Sequence, residues 1–361
     1  MPDRIYNFSP GPATLPYEVL TQAARDVVNF NDKGIGLIEM SHRSKEFMAV
    51  ADETEALLRE LMEIPDNYKV LFLQGGASTQ FAMVPMNLLG SGKKAVYLNT
   101  GTWSKKAIKE AKLFGDIDVA YSSEETTFDH VPAGGDYTVS PDAEYLYYVS
   151  NNTIYGTQFH TPPATDATLI CDMSSDILSK RIDVSRFGLI FAGAQKNMGP
   201  AGCAVVIIRD DLLDRAPDNV PTMFRYKTHA DKGSMFNTPP CFAIYVIGLV
   251  LKWLKNLGGM PAIAEMNSAK AGLLYNAIDS MEFYRGHART PSRSLMNITF
   301  NLPTPELEQQ FIQEATAQGL DGLKGHRSVG GCRASIYNAF PREGVEKLVQ
   351  FMEAFARQHG S

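Results

Sequence analysis

Two ionisable residues, Asp172 and Lys196, stand 24 positions apart in a chain of 361 residues, each at the end of an apolar run. Asp172 closes Thr168-Leu169-Ile170-Cys171-Asp172, and Lys196 follows Phe191-Ala192-Gly193-Ala194-Gln195. Short continuous apolar runs read as strands buried on both faces. Both charged groups are therefore expected at strand ends, where open α/β folds gather their sites. A desolvated lysine loses its proton readily and becomes an amine nucleophile toward a carbonyl. A carboxylate can hold a pyridine nitrogen protonated, which makes the ring an electron sink. This is the pairing that pyridoxal chemistry needs: a lysine in Schiff-base linkage to the aldehyde and a carboxylate on the ring nitrogen. Alone, either residue reads as a surface lysine or a turn aspartate; together with their flanking words they point to catalysis.

Two further features fit the same chemistry. Gln74-Gly75-Gly76-Ala77-Ser78-Thr79 follows a candidate strand and opens a candidate helix. Free amides at a helix start, with two hydroxyls, make an anion site. Trp103, in Asn99-Thr100-Gly101-Thr102-Trp103, follows another candidate strand. Its flat indole can stack on a pyridine ring, although a buried core tryptophan would look the same in sequence.

The elements that must position these groups alternate along the chain. Candidate strands fall at 70–73, 95–98, 118–121, 145–149, 169–171, 189–192 and 204–208, with helical stretches such as 79–89 and 104–114 between them. Parallel strands require such crossovers. Residues 45–62 form an amphipathic helix with Phe47, Val50, Ala51, Leu57, Leu58, Leu61 and Met62 on one face. Long helices are expected at 241–257 and 261–280. Beyond them, strands at 297–301 and 334–337 and helices at 304–318 and 342–358 make an α+β tail. The breaker Leu257-Gly258-Gly259-Met260-Pro261 marks the boundary. The fold class is α/β: a large domain with a mostly parallel seven-stranded sheet flanked by helices, plus a small C-terminal α+β domain.

Composition narrows the function. The length favours two domains. With 44% apolar and 20% charged residues the chain is globular. A net charge of −6 argues against a nucleic-acid partner. No apolar leader follows Met1, and the longest apolar run, 241–251, is shorter than the roughly 20 residues a membrane span needs. Cys171, Cys203, Cys241 and Cys332 are scattered and form no CxxC, so no zinc site or disulfide framework is expected, and a cytoplasmic location fits. His130, His160, His229, His287 and His359 show no metal-ligand spacing, and no metal is expected.

The words Asp172-Met173-Ser174-Ser175 and Gly193-Ala194-Gln195-Lys196-Asn197-Met198-Gly199-Pro200-Ala201-Gly202 resemble those of the phosphoserine aminotransferases, a family of fold-type-I pyridoxal enzymes. The resemblance begins at Asn7-Phe8-Ser9-Pro10-Gly11-Pro12 and continues through Met40-Ser41-His42-Arg43-Ser44 and Phe236-Asn237-Thr238-Pro239-Pro240. It ends in Gly325-His326-Arg327-Ser328-Val329-Gly330-Gly331-Cys332-Arg333-Ala334-Ser335-Ile336-Tyr337-Asn338-Ala339, and so spans nearly the whole chain. It implies pyridoxal 5'-phosphate as cofactor, with Lys196 and Asp172 catalytic. Ala77, Ser78, Ser174 and Gln195 would reach the cofactor phosphate, Thr153 the ring hydroxyl, and Trp103 the ring face. Some family members carry Gly-Arg where this chain has Ala77-Ser78, so an arginine contact to the phosphate is missing here. Asn237 and Thr238 would come from a second subunit, which implies a homodimer with shared sites.

On the substrate side the resemblance assigns Arg333 to the α-carboxylate. It assigns His42, Arg43, His326 and Arg327 to the distal phosphate or carboxylate, and Ser9 to the mouth of the pocket. The implied reaction takes L-glutamate and 3-phosphohydroxypyruvate to O-phospho-L-serine and 2-oxoglutarate, in serine biosynthesis. A second substrate, 3-hydroxy-2-oxo-4-phosphooxybutanoate of vitamin B6 synthesis, is also implied. The expected division is a large cofactor-binding domain at 16–260 and a small domain made of 1–15 and 261–361. Two other readings compete: another fold-type-I enzyme, such as a serine-glyoxylate-type aminotransferase or a cysteine desulfurase, and a non-catalytic regulator that binds the cofactor.

Overall fold

The computed structural model describes residues 4–360, so the expectations for residues 1–3 and 361 lie outside it. At its centre is a sheet of seven strands: β1 (Tyr68–Gln74), β2 (Lys94–Asn99), β3 (Asp116–Ser122), β4 (Ala143–Val149), β5 (Leu169–Asp172), β6 (Leu189–Gly193) and β7 (Cys203–Arg209). Each covers one of the seven expected runs. Their spatial order is β1-β7-β6-β5-β4-β2-β3. From β6 to β3 every pair is parallel, and β7 runs against both its neighbours.

The exception decides where the chemistry sits. Parallel neighbours need a crossover of a dozen or more residues, whereas antiparallel ones can be joined directly. Residues 194–202 join β6 to β7 at the sheet end where β5 also stops, and β5 pairs with β6 up to Asp172 opposite Phe191. Lys196 and Asp172 therefore emerge at the same end of adjacent strands.

Alternate residues of one strand serve opposite faces. Val70 and Phe72 join a core with Phe47, Leu58, Ile244 and Leu251, from helices Lys45–Met62 and Cys241–Asn256. Leu71 and Leu73 join a second core with Phe81, Val84 and Ala107, from helices Ala77–Leu88 and Thr102–Ala111. β3 departs from the expectation of two-sided burial. It has one strand neighbour only, and Asp116, Asp118 and Val119 are exposed.

A third core unites Phe8, Ala271, Leu274, Ile298, Phe300, Ala334, Leu348 and Met352. It lies around strands Arg285–Gly286, Asn297–Asn301 and Cys332–Ser335 and helices Pro305–Ala317 and Arg342–His359. The N-terminal strand Tyr6–Asn7 pairs with Leu320–Asp321 and so belongs with it. Helix Gly259–Ser280 follows a bend of 84° at Gly258, whose φ of +103° suits glycine. Met260 and Ile263 on this helix face the first core, while Ala271, Leu274 and Ile278 face the third. The change of core falls inside the helix, several residues beyond the breaker read from sequence. The strand expected at 334–337 ends at Ser335, because the carbonyls of Ile336 and Tyr337 turn instead to Lys270 Nζ, at 3.0 and 2.6 Å. Among the described residues no single helix is long and apolar enough to cross a membrane.

Candidate active site

Lys196 Nζ donates to Thr153 Oγ1 at 2.7 Å and lies 5.6 Å from the centroid of the Trp103 ring. Burial pushes its ammonium down to about 8, held up by Asp172 and lowered further by Arg333. Asp172 is buried, and burial raises its carboxyl against the opposing pull of Lys196. Its Oδ1 accepts from Ser174 N at 2.9 Å and Ser174 Oγ at 2.6 Å, while Oδ2 accepts no hydrogen bond among the described residues. The Ser174 hydroxyl proton is thus taken by Asp172, and its oxygen accepts from Gly193 N at 3.1 Å.

Thr153 is positioned by a hairpin that the sequence reading does not contain, Asn151–Asn152 paired with Thr157–Gln158. Gly156 closes it with φ +71°, and a Cβ there would lie 2.5 Å from Thr299 Oγ1. The hairpin is tied down by buried amides. Asn151 Nδ2 donates to Ser175 Oγ and to Asn297 Oδ1, each at 2.8 Å, and Asn152 Nδ2 donates to Thr100 Oγ1 at 3.2 Å. Buried amides persist only where partners satisfy them. The Asn151-Asn152 pair before Thr153 is the local signal that could have found this hairpin.

Arg333, 6% exposed on strand Cys332–Ser335, donates from Nη1 to the Thr153 carbonyl at 3.4 Å. Its Nε is buried without a partner, and no carboxylate pairs with it among the described residues. His326 accepts the Ser328 N–H at Nδ1, at 3.2 Å. Burial, then Arg333, Arg327 and Lys106, lower its basicity, so these cations converge on one region. Lys106, absent from the sequence reading, sits 4.6 Å from the Trp103 ring centroid. Ser9 belongs to a segment laid against the lysine: Ala13 N donates to the Gln195 carbonyl at 2.9 Å, and a Cβ on Gly11 would meet Lys196 Cγ at 3.2 Å.

Not every expected residue joins this cluster within the chain. His42 Nε2 is buried without a partner and Arg43 is exposed; no hydrogen bond or ion pair links either to Lys196, Asp172 or Arg333 among the described residues. Asn237 and Thr238 lie beside the glycine-rich turn, where Gln74 Nε2 donates to the Thr238 carbonyl at 2.6 Å.

A model of the class-V aminotransferase family matches residues 5–348. A phosphoserine aminotransferase of Desulfotalea psychrophila is 71% identical over 356 residues, covering 99% of both chains. The solved phosphoserine aminotransferase of Bacillus circulans subsp. alkalophilus is 51% identical with a TM-score of 0.97, again over 99% of both chains. This chain belongs to the phosphoserine aminotransferases. A pyridoxal-phosphate-bound member of the family from Trichomonas vaginalis is 41% identical with a TM-score of 0.93, over 97% of this chain and all of that one.

Membership makes the chain a pyridoxal-phosphate-dependent transaminase, and its own residues fit the cofactor. Helix Ala77–Leu88 starts without a side-chain cap at Gly76, which leaves its first amides for an anion. A Cβ on Gly193 would lie 2.8 Å from Gln195 Oε1 and 3.4 Å from Ala77 N, so the absence of a side chain leaves a hollow between these two groups. Ser78, next along the helix, is exposed at the same turn. The depressed basicity of Lys196 has a measurable consequence. With a value of about 8, roughly a tenth of Lys196 is neutral at pH 7, against about 0.04% of a lysine in water. Only the neutral amine attacks an aldehyde. The rate at which apo-protein captures pyridoxal phosphate is therefore expected to rise about tenfold per pH unit and level off above about pH 8. A plateau only above pH 10, in a stopped-flow absorbance series, would place Lys196 in open water.

Proposed function

We infer that this enzyme transfers the amino group of L-glutamate to 3-phosphohydroxypyruvate, forming 2-oxoglutarate and O-phospho-L-serine for serine biosynthesis. Family membership supports the phosphorylated substrate, and one observation carries the placing of its α-carboxylate: a buried arginine without a carboxylate partner, Arg333, anchored on Thr153, which itself holds Lys196. When bound, pyridoxal phosphate supplies an aldehyde for the substrate nitrogen and a protonated ring that draws electrons from the substrate Cα. Lys196 would hold the cofactor aldehyde, and its Nζ would carry the Cα proton, first as base and then as acid. Asp172 keeps the ring nitrogen protonated. Trp103 supports the ring face and Thr153 its hydroxyl edge. Ala77, Ser78, Ser174 and Gln195 hold the phosphate, with Ser174 also orienting Asp172.

Arg333 takes the α-carboxylate, for which a guanidinium fixes orientation as well as charge. His326 and Arg327, with His42 and Arg43, receive the distal anion, and Ser9 lines the entrance. The same anion sites suit 3-hydroxy-2-oxo-4-phosphooxybutanoate. Location in the cytoplasm agrees with four unpaired cysteines. Residues 16–260 act as the large domain, and 1–15 with 261–361 as the small one.

Amination of 3-phosphohydroxypyruvate and of glyoxylate, compared in the wild-type enzyme and in Arg327→Gln, tests this reading. The phosphorylated substrate is expected to be strongly preferred. Arg327→Gln should cost it roughly 10- to 100-fold in kcat/KM and leave glyoxylate nearly untouched. Equal use of both substrates by the wild type would instead favour a glyoxylate-type aminotransferase.

The enzyme acts as a homodimer whose sites are shared, with Asn237 and Thr238 of one subunit completing the phosphate cup of the other. Exposed Ile35, Ile38, Phe236 and Phe242 supply apolar surface for such an interface. Mixing inactive Lys196→Ala and Asn237→Asp chains should then restore up to roughly a quarter of the wild-type activity, because one site of a mixed dimer carries neither lesion. No recovery after subunit exchange, checked by mass, would confine each site to one chain.

A further inference from the structure

Lys270 is the most anomalous charge outside the reacting cluster. It lies midway along helix Gly259–Ser280, between the residues that face the first core and those that face the third, and is 1% exposed. Lysine is almost never fully buried without a counter-charge, yet no ion pair reaches this one among the described residues, and burial alone pushes it down to about 7. Four main-chain carbonyls surround it instead. Nζ donates to the oxygens of Tyr337 at 2.6 Å, Ile336 at 3.0 Å, Phe340 at 3.1 Å and Asn338 at 3.4 Å. An ammonium has three protons to give, so its donors are fully engaged.

The turn it grips is held from the other side as well. Asn267, one helical turn before Lys270, donates to Asn338 Oδ1 at 2.8 Å. Asn338 donates from Nδ2 to the Leu178 carbonyl at 2.7 Å, and from its main-chain N to Asn197 Oδ1 at 2.9 Å. Asn197 follows Lys196 directly and donates to the Ile177 carbonyl at 2.6 Å, in the segment that leaves Asp172. The same turn continues the strand that carries Arg333. A row of buried polar contacts thus runs from the helix between the cores, through residues 336–340, to the neighbours of both Lys196 and Asp172.

The geometry points to Lys270, acting with Asn338, as a positioning residue: the buried ammonium fixes the 336–340 turn, and that turn keeps the Arg333 strand in register with Lys196. Neither residue touches substrate. This rests on the reading of Arg333 as the α-carboxylate site. A role in stability alone would lower the melting temperature and leave the KM of the folded enzyme unchanged. A role in register must change KM for every substrate that carries an α-carboxylate.

The test uses holoenzymes of Lys270→Met, Asn338→Ala and Arg333→Lys. Half-reactions are followed by cofactor absorbance with glutamate, with O-phosphoserine and with 2-aminoethyl phosphate, a slow reference amine that has no α-carboxylate. Lys270→Met and Asn338→Ala are expected to bind cofactor normally. KM for both amino acids should rise about tenfold, as for one misplaced charged hydrogen bond, with kcat changed less than about threefold. The rate with 2-aminoethyl phosphate should stay as in the wild type. If Lys270→Met does not fold, Asn338→Ala carries the test, since it keeps the main-chain bond to Asn197 and removes no charge. Unchanged KM in the folded variants, with Arg333→Lys impaired, would overturn the positioning role. Unchanged KM in Arg333→Lys would instead overturn the carboxylate site on which it depends.

Discussion

Lys196→Ala is expected to stop turnover, by roughly 10⁴-fold or more, and to remove the visible absorbance that glutamate changes in the wild-type enzyme. The size follows from two tasks carried by one amine. In the proposed mechanism it holds the cofactor covalently between turnovers and moves the Cα proton within each. Neither task has a substitute among its neighbours. The Thr153 hydroxyl, 2.7 Å away, is no base at neutral pH, and Asp172 Oδ1 is already engaged by Ser174. A spectrum before and after glutamate, with single-turnover rates, measures the loss. Retention of the band and of turnover would move the covalent role to another amine. Lys106, 4.6 Å from the Trp103 centroid, would be the first to test.

Asp172→Asn is expected to lower kcat roughly 10²- to 10³-fold in both half-reactions while KM stays close to wild type. That loss corresponds to about 2.7–4.1 kcal/mol of barrier, and it falls on the step that places charge in the ring. The amide has nearly the carboxylate's shape, and its oxygen still accepts the Ser174 N–H, so the local fold is kept. It cannot hold a proton on a ring nitrogen. Thermal stability should not fall with activity, because burial already disfavours the charged carboxylate.

A second readout separates electrostatics from misfolding. Asp172 holds the Lys196 ammonium up, so removing its charge must shift the midpoint for cofactor capture below about pH 8. An undiminished kcat, or a midpoint that rises, would take the ring-nitrogen role away from Asp172.

Much of the fold was legible because burial leaves a local imprint. Six of the seven expected runs appear as strands β1, β2 and β4 to β7, since a strand covered on both faces must be largely apolar, while β3 forms at the sheet edge with one side exposed. Helix Lys45–Met62 appears where one-sided periodicity marked it, and helix Arg342–His359 covers the stretch expected at 342–358. One expectation was displaced. The strand at 334–337 stops at Ser335, where a lysine more than sixty positions earlier captures the next carbonyls.

For the site, sequence singled out the proposed reacting pair. Asp172 ends a buried strand and Lys196 follows another by three residues, and the words around them match one family along the whole chain. Tertiary structure alone decided what surrounds the pair: the arginine on the Thr153 carbonyl, the amides beneath the hairpin, and the Lys270 row. The reason is physical. Hydrophobic burial repeats with the period of the element that bears it and can be read from neighbours in sequence. A buried polar contact joins single atoms from segments dozens to well over a hundred residues apart, such as Lys270 and Ile336 or Arg333 and Thr153, and leaves no periodic trace in either segment.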